Sequence, residues 1–151
     1  CNSCALHIRR GDFINSNFEV CTEYYYLSAI QWMKKQHPDI QIFVFSNDEA
    51  YAERIIKKAE GQKFMHIFRN RNEDDPRVDM FFISECNHAI ISNSAFSAFP
   101  SWLSFHKQKN KGIHKDIIRP QYWRAGELKY AMENIYMEAE WIKIPLGDNE
   151  S

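Results

Sequence analysis

The sequence predicts an α/β fold: a mostly parallel sheet with helices on both faces. Three observations predict it. Short apolar runs alternate with longer amphipathic stretches along the whole chain, the pattern of strand–helix–strand units. The short runs are rich in branched and aromatic residues, as strands are. Polar clusters follow three of these runs, and in open α/β sheets ligands bind beyond the carboxyl ends of the strands.

Each element follows in order. Residues 4–8 (CALHI) read as a buried strand, followed by the polar loop GDFINSNFEV. Thr22 is placed to cap a helix running to about residue 36, with Tyr26, Ile30 and Met33 on one side and His37-Pro38 ending it. Residues 41–45 (QIFVF) form a second strand, which Ser46-Asn47-Asp48 ends in a turn. Residues 49–60 form a helix stopped by Gly61. Residues 64–68 (FMHIF) are a third strand and 69–77 a charged loop. A short helix covers 78–85 and a fourth strand 88–92 (HAIIS). Residues 93–106 are a turn and then a helix, 107–112 are solvated, and 116–118 (DII) are a short strand before Pro120. Residues 141–144 give a late strand.

A chain of 151 residues suits one domain, and 44% hydrophobic with 15% aromatic residues provides a core. Nineteen basic residues against twenty acidic ones exclude a general nucleic-acid or anionic-membrane surface. Any anion must therefore be held by a local site. No apolar run in these residues is long enough to span a bilayer, and no signal peptide is expected. The opening at Cys1, without an initiator methionine, suggests an excised domain or fragment. Of the four cysteines, Cys1 and Cys4 form a C-x-x-C, but Cys4 opens a strand and no second pair exists. Reduced structural thiols are the expectation. The six histidines are scattered in sequence, and no metal site is expected.

The chemistry-bearing residues sit at strand ends. Arg9 and Arg10 in HIRRGD offer paired forked donors suited to phosphate oxygens; the alternative is a salt bridge to Asp12 or a solvated loop. The turn Ser92-Asn93-Ser94-Ala95-Phe96-Ser97 opens a helix. Its backbone N–H groups and hydroxyls make a phosphate seat, which is compatible with capping by Ser94 or Asn93. Asp48, in FVFSND, has two readings: acceptor from a purine edge, or cap of the following helix. The phosphate-loop and dinucleotide glycine patterns are both missing from the sequence. Arginines are therefore expected to meet the phosphate charge, and no metal is implied. A sugar-nucleotide transferase uses these parts, with arginines offsetting charge on a departing diphosphate.

His7-Ile8-Arg9-Arg10-Gly11-Asp12 resembles the H-x-R-R-x-D motif of α-1,2- and α-1,6-fucosyltransferases. FVFSND, Val78-Asp79-Met80 and the run from Cys86 through Ser97 resemble glycosyltransferase family 11, the α-1,2-fucosyltransferases. Ile117-Ile118-Arg119-Pro120 with Trp123, and the closing Trp141-Ile142, are similar to that family's C-terminal region. The family usually continues the SNS-x-FS turn with two tryptophans and a small residue; here Ala98-Phe99-Pro100 stands instead. The Trp123-Arg124-Ala125 segment is also looser than the family's ending.

The resemblance implies a GT-B-type architecture of two Rossmann-like halves, with residues 1–151 the half that holds GDP-fucose. It implies inverting transfer of L-fucose from GDP-β-L-fucose to the 2-hydroxyl of a terminal galactoside, without a metal. By resemblance, Arg9 contacts the diphosphate and Arg10 supports it. His7 and Asp48 lie near the guanosine. Ser94, Phe96 and Ser97 form the phosphate- and fucose-side loop, and Asn47 and Asn93 are counted among the donor-binding residues. Asp12 orients the arginines, with a catalytic role also open. The partners expected are the donor, a galactose-terminated acceptor and the missing N-terminal half, and no nucleic acid. A bacterial member is expected in the cytoplasm or peripheral to the inner membrane face, a eukaryotic one in the Golgi lumen. The rivals are an α-1,6- or O-fucosyltransferase-like enzyme, a non-catalytic guanine-nucleotide-binding domain, and a plain α/β domain with structural arginines.

Overall fold

The computed structural model describes residues 2–10, 21–70, 75–122, 138 and 140–147. Cys1, Asp12, the Glu73-Asp74 pair and the Trp123-Arg124-Ala125 segment lie outside them. The described elements alternate as β1 (Ser3–Ile8), α1 (Glu23–Gln36), β2 (Gln41–Ser46), α2 (Glu49–Lys58) and β3 (Met65–Ile67). They continue as α3 (Pro76–Glu85), β4 (His88–Ile90), α4 (Ala95–Asn110), β5 (Ile117–Pro120) and β6 (Ile142–Ile144). The strands form one sheet in the order β3-β2-β1-β4-β5-β6, and every pairing is parallel. That is the Rossmann-like order, and its direction reverses between β1 and β4.

Strand alternation sends side chains to two helical layers. Cys4, Leu6 and Ile8 of β1, with Ile42 and Val44 of β2, pack on Tyr26, Ile30 and Met33 of α1 and Ile55 of α2. On the other face Ala5 and Phe45 meet Ile83 of α3, and Ala89, Ile91 and Ile117 meet Ala98 and Phe105 of α4. Strands buried on both faces read as continuous apolar runs, which is why CALHI and HAII stand out.

Caps set the helix starts. Thr22 accepts from the Tyr25 N–H, and Asp75 accepts from the Arg77 N–H with Pro76 at the first turn. The third helix therefore begins two residues before the expected 78, inside the predicted charged loop. The fourth runs on to Asn110 rather than 106, through the buried Pro100. Gly112, at φ +72°, ends it with the left-handed turn that glycine permits. The solvated stretch expected over 107–112 is thus mostly an exposed last turn.

Candidate functional site

Parallel strands bring all their carboxyl ends to one rim. Arg9-Arg10 leaves β1, Asn47-Asp48 leaves β2 and Ile91-Ser92-Asn93-Ser94 leaves β4. The β1 and β4 ends flank the topological switch point. A recess of about 110 Å³ opens there, walled by His7 and Arg9 from the β1 end, Ser46 and Asn47 from the β2 end, Asp79 from α3 and Phe96 from α4. It is smaller than the roughly 300 Å³ of a small-molecule site, so it suits one ring rather than a whole nucleotide sugar. Larger hollows of about 410 and 650 Å³ lie away from this convergence, at α4 around Lys107 and Lys111 and between α1 and the end of α2.

His7 is buried, and its Nδ1 lies 2.8 Å from the Ser92 hydroxyl. The Phe96 ring is tilted against it with centroids 5.2 Å apart. Burial first, and the Arg9 charge second, pull the His7 pKa down to about 3, so the imidazole is neutral at physiological pH. Asp79 carries a buried carboxylate oxygen, Oδ1, with no hydrogen-bond partner among the described residues. Burial pushes its pKa up, and a hydrogen bond from Asn70 pulls the other way. A carboxylate with an open acceptor position in the wall of a recess is a ligand-binding feature.

The two arginines diverge. Arg9 lines the recess. Arg10 turns toward α2, with its guanidinium 4.1 Å from the Tyr51 ring centroid and its Nε 3.8 Å from an Asp48 carboxylate oxygen. Asn47 holds the Arg10 backbone, accepting from its N–H at 2.8 Å and donating to its carbonyl at 2.9 Å. Asp48 caps α2, accepting from the Tyr51 N–H at 3.1 Å. Of the two readings of Asp48, capping is the one the geometry displays, with the second oxygen toward Arg10. Ser94 caps α4 by accepting from the Phe96 N–H, and the buried Ser97 donates to the Ser94 carbonyl. Asn93 is buried behind this turn and accepts from the Cys21 thiol.

Asp79 had no role assigned from sequence. Its signal is a single carboxylate among apolar neighbours in Val78-Asp79-Met80-Phe81-Phe82-Ile83, on a helix that packs against the sheet.

At the opposite rim, His37, His88 and Asp116 place ligand-type atoms within 4.8 Å of one another, although the sequence scatters them. Their lone pairs are engaged within the protein. Asp116 accepts from His37 and His114, and the Asp116 N–H donates to His88 Nδ1 at 3.0 Å. His88 therefore keeps its remaining proton on Nε2, and the group joins α1, β4 and β5 rather than offering a metal its nitrogens. The buried cysteines Cys4 and Cys86 are free thiols.

Comparison with known proteins fits this geometry. Residues 1–144 match the model of glycosyl transferase family 11. An alpha-1,2-colitosyltransferase of Escherichia coli is 37% identical over 83% of this chain and 42% of that protein. The O-antigen biosynthesis glycosyltransferase WbnK of Escherichia coli is 32% identical over 85% of the chain and 41% of its own length. Galactoside alpha-(1,2)-fucosyltransferase 2 of Bos taurus is 25% identical over 66% of the chain and 30% of its own. The chain thus spans about two fifths of the length of the bacterial relatives. No helix among the described residues is long and apolar enough to cross a membrane. With the family model matching nearly from end to end of a sheet whose switch point gathers His7, Arg9 and Asp79, the chain belongs to glycosyl transferase family 11.

Proposed function

We propose that the protein transfers L-fucose from GDP-β-L-fucose to the 2-hydroxyl of a terminal galactoside with inversion, and that residues 1–151 supply the donor-binding half. The observation that carries this reading is the recess at the switch point, where Arg9, neutral His7 and the open Asp79 carboxylate meet. A guanine edge offers an acceptor, O6, beside two donors, N1–H and N2–H₂. A carboxylate matches the two donors, and an imidazole N–H matches the acceptor. Adenine reverses that order.

Arg9 then faces the diphosphate, and the first turn of α4 lies beside it with Ser94 and Phe96. As the glycosidic C–O bond breaks, charge grows on the departing GDP. A fixed guanidinium in a partly dry site stabilises that charge without a metal. Asp79 takes the purine-reading role that the sequence suggested for Asp48, because Asp48 caps α2 and faces Arg10. Asp12 is assigned the orientation of the arginine pair. A general base removes the proton of the acceptor hydroxyl.

A second reading of the sugar is favoured by the relative at 37% identity, which is named for colitosyl transfer. The test supplies the protein with GDP-β-L-fucose or GDP-colitose and a terminal β-galactoside, and reads the product linkage by NMR. An α-1,2 fucosyl product supports the proposal, and turnover of the colitosyl donor alone supports the second reading. Tight GDP binding with transfer from neither donor would favour the non-catalytic domain.

A further inference from the structure

We infer that Ser92 is a positioning residue that fixes the tautomer of His7, keeping the ring proton on Nε2 as a donor toward the recess; the identity of the ligand it serves rests on the guanine-nucleotide reading above, whereas the tautomer does not. Leu6 pairs with Ile90 across β1 and β4, so the chain leaving β4 runs beside His7. This puts the Ser92 Oγ 2.8 Å from His7 Nδ1, with Ser92 0% and His7 4% exposed.

A buried hydroxyl has one proton and must place it on an acceptor. The His7 ring nitrogen is the sole hydrogen-bond partner of the Ser92 side chain among the described residues. If Nδ1 carried the ring proton, Oγ would accept it, and the serine's own proton would have no acceptor among the described residues. If Ser92 donates, Nδ1 accepts, the serine proton is satisfied, and the ring proton is left on Nε2 for a ligand in the recess. A neutral imidazole with Nδ1 accepting carries its proton on Nε2.

The ring is neutral because it is buried beside Arg9. Phe96 packs on it and limits its rotation. Nε2 makes no hydrogen bond to a described residue, and His7 lines the recess. The site therefore presents a donor from His7 and an acceptor from Asp79, a complementary pair. With the other tautomer, His7 and Asp79 would both present lone pairs, and an O6-type carbonyl would be repelled.

The test begins on the unsubstituted, nucleotide-free protein with ¹⁵N-labelled histidine, the His7 signals being assigned by their loss in His7→Gln. The expected result is a pyrrole-type shift at Nε2 and a pyridine-type shift at Nδ1; the reverse pattern overturns the inference. Ser92→Ala is then expected to lose GDP affinity by roughly tenfold, the scale of one buried hydrogen bond, with ADP affinity little changed. Ser92→Thr, which keeps the hydroxyl, is expected to restore the GDP preference. Unchanged GDP affinity and selectivity in Ser92→Ala overturns the positioning role. An Nε2–H ring in a protein that binds no guanine nucleotide supports the tautomer and overturns the guanine reading.

Discussion

Asn47 closes its side-chain amide on the backbone of Arg10, accepting from the N–H at 2.8 Å and donating to the carbonyl at 2.9 Å. The β1–β2 ladder ends with Ile8 opposite Ser46, and this amide supplies one more rung in side-chain form. It fixes the chain just past the strand end, where the two arginines part. Arg10 goes out over Tyr51 and Arg9 goes to the recess.

Removing that rung should therefore matter more for the ligand than for the fold. Asn47→Ala deletes two hydrogen bonds at an exposed position, each worth about 1 kcal/mol or less there. Urea denaturation should show a loss of about 1 kcal/mol, while GDP titration should show a larger loss of affinity as Arg9 becomes free to wander. Equal losses in the two measurements would contradict the positioning role.

The two arginines should behave differently. Arg10 already has Tyr51 and Asp48 as neighbours, so Arg10→Ala is expected to lower GDP affinity only a few-fold, on the scale of one weak surface contact. Arg9→Ala should lower it by far more. Side-by-side calorimetry of both variants checks the order, and a greater effect from Arg10 would reverse the assignment of roles.

Asp79→Asn should separate function from stability. The carboxylate is pushed toward protonation by burial, and its Oδ1 lacks a partner. Replacing it with a neutral isostere should leave the melting temperature equal or higher, as is common where a binding site holds strain. The same change should abolish the preference for GDP over ADP. A marked drop in melting temperature with selectivity intact would show Asp79 to be structural.

Acid should destabilise the protein through its neutral histidines. Burial holds His7 down to about 3, and burial with the neighbouring His37 holds His88 down to about 4, against an ordinary 6.5. Depressed folded-state values mean that the unfolded chain binds the extra protons. The stability these groups contribute is present above pH 6.5 and is lost as pH falls toward 4 and then 3. Between pH 6 and 5 the two together should give a slope of about 2 kcal/mol per pH unit. Urea midpoints across that range test it, and a flat profile would mean that both rings are protonated in the fold.

Much of the fold was legible because a parallel sheet writes its strands as apolar runs and gathers their carboxyl ends on one rim. HIRR, FSND and ISNS could therefore be brought together from sequence. The misplacements have local causes. Asp75-Pro76 is a cap and first-turn signal buried in a charged stretch, so α3 starts earlier than its apolar run. Pro100 stands inside α4 without ending it, and the stop comes at Gly112. The site was less legible than the fold. Asp48 could be a cap or a ligand until its oxygens had partners, and Asp79 acquires meaning only once α3 lies against the β1 end. The His37, His88 and Asp116 group at the far rim is held by long-range contacts that no spacing encodes.

The most direct test of the donor-site assignment is calorimetric titration of the protein with GDP, GMP and ADP, repeated with GDP on Arg9→Ala. The account predicts GDP binding tighter than GMP or ADP, and a ten- to hundredfold weakening in the variant, about 1.5–3 kcal/mol for a charge-assisted contact. Equal affinity for GDP and ADP, or GDP binding that survives loss of the Arg9 guanidinium, would contradict it.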